Sequence, residues 1–497
     1  MRLLDEKSTG TLGYGMKKWI NKYKHMPDPV KASAWFVICG FLQRGISLLT
    51  TPIFSRLLST SEYGIFSVYN TWSGIILIFA SLNLASGIYV RGLVKYEHDS
   101  EEFTASLQSL YVLNMTIVFG IYAVFSDFWS SLLDLPKSYL YLLFVDMYMT
   151  TAFHFWSARQ RVEYKYKRLV QLTLTNTVLK PTLGIVAVLT FQDKVFGRIT
   201  AIAAADIFTF GFLFLRMFLK PGKRVSNKYW KYALAYNLPL VPHYLSQVVL
   251  NQSDRIMIKS MVGSSEAGIY SLAYSAASIL LIVNQSILNS YNPWMYKKIK
   301  SGDYNPIHSV SVMLLLLIAV VNYLVIAFAP EIIAVLAPSE YYEAIWIIPP
   351  VSMSVFFTFM YSMFSNFEFY FEKTRLMMYA SVSGAVLNII LNSIFIRIFG
   401  YMAAGYTTLV CYICYCVFHY SVMQHILKRQ LNGKVIYKIS SIMLISICII
   451  AASFAMMVLY KHIVIRYSIL TLGIVVAVVF RKKVMRTLKS IYMLKEQ

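Results

Sequence analysis

Apolar runs of roughly 20 residues, the length that crosses a bilayer core as a helix, recur along the whole chain. Stretches free of Asp, Glu, Lys and Arg occupy 63–90, 104–126, 232–253, 267–296, 304–330, 344–367, 376–396, 398–427 and 439–460. Four further runs hold one interior charge each: 32–55 with Arg44, 138–158 with Asp146, 169–192 with Lys180 and 199–215 with Asp206. A last run, 462–480, carries Arg466 near one end, where the side chain is expected to snorkel to the interface. The pattern predicts an all-α polytopic membrane protein with about fourteen transmembrane helices.

The polar interruptions divide the chain further. A basic N-terminus (1–31) precedes a six-helix half (32–219), and a basic linker (220–231) leads to a second six-helix half (232–427). Two extra helices and a basic tail complete the chain at 428–497. The loops are short, and no soluble domain is inserted. Residues 1–30 lack an apolar core, so no cleavable signal peptide is expected.

Composition agrees with the pattern. Of 497 residues, 58% are apolar and 14% charged, against about 25% charged in a soluble domain. The mean hydropathy is +0.57. Lys and Arg number 46 and Asp and Glu 23, a net charge of +23, which in a soluble protein would suggest nucleic acid. When the spans alternate from a cytoplasmic N-terminus, thirty-five of the 46 basic residues fall in cytoplasmic segments and nine outside. The excess therefore reads as the positive-inside bias of an N-in, C-in protein, and no nucleic-acid partner is implied. The five cysteines (Cys39, Cys411, Cys414, Cys416, Cys448) all lie in apolar runs, so packing is expected rather than disulfides or a metal site.

An internal repeat supports the two halves. Ser61-Glu62-Tyr63-Gly64-Ile65-Phe66-Ser67-Val68-Tyr69 matches Ser265-Glu266-Ala267-Gly268-Ile269-Tyr270-Ser271-Leu272-Ala273, at the same external turn of each six-span set. An even number of spans per repeat gives parallel halves, a transporter architecture with the substrate held near the midplane.

The segment from Pro52 through Arg56 to Ser61-Glu62-Tyr63-Gly64 resembles the first external turn of bacterial polysaccharide-export flippases, in the multidrug/oligosaccharidyl-lipid/polysaccharide exporter superfamily. Asn237-Leu238-Pro239, Asp254-Arg255 and Gly268-Ile269-Tyr270-Ser271 are similar to the family's seventh and eighth spans. Asn388 and Asn392, followed by Gly400 and Gly405, are similar to its eleventh and twelfth. The resemblance implies a flippase in the bacterial inner membrane. Its substrate would be an undecaprenyl-diphosphate-linked oligosaccharide, of O-antigen or capsule type, and contact with glycan polymerase machinery would be natural.

The residues suit such a cargo. A diphosphate cannot cross hydrocarbon unpaired, and Arg44 and Lys180 are mid-span cations able to meet it. Arg44 shares a face with Ser47 and Thr51, and Lys180 with Asn176. Asp146 and Asp206 are expected either to pair with these cations between helices or to take a coupling ion, H⁺ or Na⁺. No resident cofactor is expected. In the second half His243, Gln247, Asn251, Gln252, Asn284, Gln285 and Asn289 offer neutral polar groups to sugars, or bond helices together. Arg56, Arg91, Asp254 and Arg255 sit at expected membrane edges as candidate gates. A multidrug or cation extruder is the alternative. A membrane-embedded glycan-transfer enzyme fits less well, for want of an external catalytic loop, and no phosphate-binding G-x-x-x-x-G-K-[ST] loop is present.

Overall fold

A computed structural model describes residues 26–219 and 225–479. Most of the expected basic N-terminus, residues 220–224 of the linker and the tail from 480 lie outside the described residues. The helices run α1 (Asp28–Leu57), α2 (Thr60–Ser81), α3 (Gly87–Lys95), α4 (Ser100–Val124), α5 (Ser126–Leu133), α6 (Lys137–Val162), α7 (Tyr166–Thr190), α8 (Lys194–Leu219) and α9 (Asn227–Asn237). They continue as α10 (Val241–Met261), α11 (Ser264–Ser301), α12 (Asn305–Ala327), α13 (Ala329–Leu336), α14 (Ile348–Tyr370), α15 (Thr374–Phe399), α16 (Ala403–Gln430), α17 (Ile439–Val458) and α18 (Ile463–Val479). No strand occurs among the described residues.

Ten of these helices are long and apolar enough to cross a membrane, and an eleventh span forms if Ser339–Trp346 and α14, bent by 47°, are counted together. The remaining expected spans fall on α6 and α10, which carry more polar residues, and on the shorter α18. The protein is a multi-pass membrane protein.

Two expected spans are broken. The run 63–90 stops at Ser81, where Leu82 and Asn83 adopt positive φ of 46° and 52°, and resumes as α3. The last carbonyls of α2 have no partner in their own helix. Asn114 Nδ2 donates to those of Phe79 and Ala80 at 2.7 and 2.8 Å. Asn237 Nδ2 donates to that of Leu82 at 2.9 Å. The run 232–253 is interrupted at Leu238–Leu240, a short 3₁₀ turn holding Pro239. Pro239 and Pro242 have no N–H, so the helical ladder cannot continue through them.

The described chain forms two compact units, one of residues 26–50 and 79–238 and the other of 51–78 and 239–479. In the first, α6, α7 and α8 pack on one another, with Ala152, Phe210 and Leu213 as a buried apolar cluster. In the second, α16 lies against α14 and α15, and α10 against α11 and α15. Cys39, Cys411 and Cys416 are buried, whereas Cys414 and Cys448 are exposed.

The repeated segments meet inside the second unit. Thr60 Oγ1 and Ser265 Oγ share a hydrogen bond of 2.6 Å. A Cβ added to Gly64 would lie 1.8 Å from the Ser264 carbonyl oxygen, and one added to Gly268 would lie 2.0 Å from that of Thr60. Thr60 and Ser264 are equivalent in the repeat, as are the two glycines, so the contact is reciprocal, as a two-fold relation requires. Glycine at both positions lets the first turns of α2 and α11 touch backbone to backbone.

Gly64→Ala and Gly268→Ala are each expected to destabilise the purified protein by about 1–3 kcal/mol, as overpacking does. Gly74→Ala, where the new Cβ would meet Val248 Cγ1 at 3.5 Å, should melt near wild type. Thermal unfolding in detergent distinguishes them, and equal melting of all three would remove close approach as the cause.

Candidate functional site

Within the first unit, three helices bring the mid-span charges together. Asp146 comes from α6, Asn176 and Lys180 from successive turns of α7, and Asp206 and Thr209 from α8. Asp206 is fully buried. Lys180 Nζ stands 2.7 Å from Asp206 Oδ2. Asn176 Nδ2 donates to Asp206 Oδ1 and to Thr209 Oγ1, each at 2.8 Å. The Thr209 hydroxyl donates in turn to the Ala205 carbonyl at 2.7 Å. Asp146 lies beside Asp206, and its Oδ1 is buried with no hydrogen-bond partner among the described residues.

The Lys180 ammonium supplies the opposite charge that makes burial of the Asp206 carboxylate tolerable. Of the two alternatives expected for Lys180, diphosphate contact and an interhelical ion pair, the structure holds it in the ion pair. Arg44 differs: it is exposed on α1 and makes no ion pair among the described residues. An arginine at the bilayer centre costs about 2.5–3.5 kcal/mol on insertion scales, so it needs an aqueous or anionic partner.

In the second unit the polar stripe of α10 turns inward. Gln247 Nε2 donates to Ser381 Oγ at 3.1 Å, and Asn251 Nδ2 to the Gln247 carbonyl at 2.7 Å. Tyr412 OH donates to Asn251 Oδ1 at 2.8 Å. Gln285 Nε2 and Asn289 Oδ1 pair along α11 at 2.8 Å. Asn284 donates to the Val355 carbonyl at 2.9 Å and so bonds helices. His243 Nδ1 is buried and has no hydrogen-bond partner among the described residues. Arg56 donates to the carbonyls of Pro52 and Val335 at 2.9 and 3.1 Å, and Arg91 lies over the Tyr236 ring at 5.8 Å.

Asp254, expected near a membrane edge as a candidate gate, is fully buried within the protein. Its carboxylate accepts from Tyr270 OH at 2.5 Å, Asn392 Nδ2 at 2.7 Å and Thr408 Oγ1 at 3.0 Å. Asn388 joins this network through Ser253 and Thr408 at 3.2 and 3.3 Å, and Thr407 through Asn392. Arg255 turns away, stacking over Tyr274 at 4.5 Å and donating to the Asn251 carbonyl at 3.0 Å. Dipoles rather than a direct cation contact meet the Asp254 charge. A carboxylate so placed can hold a proton or a small monovalent cation.

Two further buried pairs escaped the sequence reading. His419 Nδ1 and Glu368 Oε1 are 2.6 Å apart, with Glu368 one residue beyond a charge-free run. Arg466 was expected to snorkel. It is instead 2% exposed and paired with Glu331, which also accepts from Tyr467 OH at 2.8 Å. Burial of the guanidinium is made tolerable by that partner.

The Lys180–Asp206 pair of the first unit is testable by stability. Asp206→Ala should cost about 3–5 kcal/mol, by stranding Lys180. Lys180→Met with Asp206→Leu should recover most of that loss. Wild-type melting of Asp206→Ala would show that the pair carries no such load.

Comparison with known proteins follows the same lines. The family model described as polysaccharide biosynthesis protein matches residues 30–298, and that described as MatE matches 239–394. A Haemophilus influenzae relative, "Lsg locus putative protein 1", is 23% identical over 372 residues, covering 72% of this chain and 88% of its own. Among solved structures, the lipid II flippase MurJ in an inward closed conformation gives a TM-score of 0.67 at 14% identity, covering 90% of this chain and 99% of that one. An inward-facing multidrug resistance MATE family transporter gives 0.58 at 15% identity, covering 78% and 96%. The first family match spans more than half of the sequence, and the chain belongs to the polysaccharide biosynthesis protein family of the multidrug/oligosaccharidyl-lipid/polysaccharide exporter superfamily.

Proposed function

We propose that this protein flips an undecaprenyl-diphosphate-linked oligosaccharide repeat unit, of O-antigen or capsule type, from the cytoplasmic to the outer leaflet by alternating access. The observation that carries this reading is Arg44, an exposed guanidinium in an apolar helix with no ion pair among the described residues. A diphosphate is a fitting counter-charge, because guanidinium meets phosphate oxygens in a two-pronged, charge-assisted fashion. The family match and the fold shared with a lipid II flippase support a lipid-linked cargo. His243, Gln247 and Asn251 would then meet sugar hydroxyls.

Lys180 enters this scheme through its ion pair. A diphosphate drawing Lys180 away from Asp206 would leave the Asp146 and Asp206 carboxyls without their cation, and proton uptake there would replace its charge. Substrate binding and proton uptake are linked in this way, and H⁺ rather than Na⁺ is the coupling ion we favour. An inside-negative potential also assists export, by about 2.3 kcal/mol per charge per 100 mV. Delivery to a glycan polymerase on the outer face completes the proposal. A second reading, a multidrug or cation extruder, draws on the buried Asp254 within the segment matched by the MatE model.

Deletion of the gene is expected to abolish surface glycan and to accumulate lipid-linked repeat units on the cytoplasmic leaflet. Complementation with Arg44→Ala should fall short of wild type by about tenfold or more at equal membrane abundance, the effect of one lost charge-assisted contact. Unchanged surface glycan together with raised drug sensitivity would favour the extruder.

A further inference from the structure

A second cationic feature lies away from Arg44 and Lys180. At one end of the first unit a cavity of about 840 Å³ opens among the start of α1, α3, the start of α4, the end of α6, the start of α7 and the end of α8. By the positive-inside bias this end faces the cytoplasm. Its wall carries six basic residues, Lys31, Arg159, Lys165, Lys167, Arg168 and Arg216, against three acidic ones, Asp28, Glu101 and Glu163.

The acids are already committed. Arg159 bonds Glu101 at 2.5 Å and Glu163 at 2.7 Å. Lys165 bonds the other oxygen of Glu163 at 2.6 Å, and Lys31 lies 3.8 Å from Asp28. Burial alone would raise the Glu163 carboxyl, but its bonds from Arg159 and Lys165 outweigh that and hold it below the usual carboxylate range. Lys167, Arg168 and Arg216 are left exposed, with no carboxylate partner among the described residues. Three like charges on one concave wall repel one another unless an anion sits among them.

The occupant is marked as amphiphilic by what surrounds these charges. The cavity floor includes the buried rings of Tyr89 and Phe155 and the side chain of Leu213. On α8, Phe208 and Phe212 are 77% and 70% exposed, and Arg216 follows on the same stripe at i, i+4 and i+8. An apolar face fit for acyl or prenyl chains therefore runs directly into a cation that lines the cavity. A free phosphate would use the charges but not that face.

We propose that this cavity binds the phosphate headgroup of a membrane lipid on the cytoplasmic leaflet, held by Lys167, Arg168 and Arg216. The headgroup belongs either to an anionic phospholipid of the bilayer or to a polyprenyl-diphosphate-linked molecule awaiting transport. Basic pockets at the cytoplasmic ends of membrane helices are suited to such headgroups. The site uses neither Arg44 nor Lys180, and it stands whether or not the flippase reading does.

The test is native mass spectrometry of the delipidated full-length protein titrated with phosphatidylglycerol, undecaprenyl diphosphate or phosphatidylcholine. Lys167→Gln/Arg168→Gln/Arg216→Gln should weaken binding of one or both anionic lipids by about tenfold or more. Phosphatidylcholine binding should not change. Lys428→Gln/Arg429→Gln/Lys438→Gln, which removes basic residues elsewhere, should behave as wild type and so control for general electrostatics. A preference for undecaprenyl diphosphate assigns the site to the cargo, and equal binding of the two anionic lipids assigns it to bilayer lipid; both uphold the site. Unchanged anionic-lipid binding in the cavity variant, or an equal loss in the control variant, overturns it. Arg44→Ala should keep this binding, which separates failure of the site from failure of the flippase proposal.

Discussion

Hydrocarbon offers no hydrogen bond and little screening, so every ionisable group within a span must find its partner in the protein or in the cargo. This constraint organises the polar interior of both units. In the first, the buried Asp206 is met by the Lys180 ammonium and the Asn176 amide. In the second, Asp254 is met by hydroxyl and amide donors from three neighbouring helices. Arg466 pairs with Glu331, and His419 with Glu368. Against that background Arg44, exposed and without an ion pair among the described residues, asks for a ligand.

The same need governs the backbone. Where α2 stops short, two asparagine amides take the carbonyls that the helix leaves behind. Where Pro239 interrupts the seventh expected span, the chain makes a short 3₁₀ turn and resumes as α10. These irregularities are tolerated because protein groups stand where water would otherwise be needed. The reciprocal glycine contact between α2 and α11 works by the opposite route, removing side chains so that two helix starts meet directly.

Much of the fold was legible because span length and hydropathy are local properties. The nine-residue repeat was legible too, and its two copies touch. The break at Leu82 and Asn83 was not, since no proline or glycine marks it and the cause is a pair of asparagines distant in sequence. Asn388 and Asn392 were visible as an i, i+4 pair, but Asp254, which accepts from Asn392, lies on another helix. Which face of a helix turns inward depends on its neighbours. For the same reason the sequence set Asp254 at an edge and Arg466 at the interface, and the structure buries both. The mid-span cations and carboxylates stood out individually, but that Lys180 chooses Asp206, while Arg44 has no ion pair among the described residues, is a fact of packing.

In the proposed scheme an anionic lipid-linked sugar crosses with this protein, and the proton taken up on its binding travels with it. The most direct measurement is transbilayer movement of a fluorescent undecaprenyl-diphosphate oligosaccharide in proteoliposomes, read by its accessibility to an impermeant quencher, with and without a pH gradient. On this scheme movement well above that of protein-free liposomes is expected, and faster when the gradient drives protons in the same direction as the lipid. Movement no faster than in empty liposomes under either condition would contradict it.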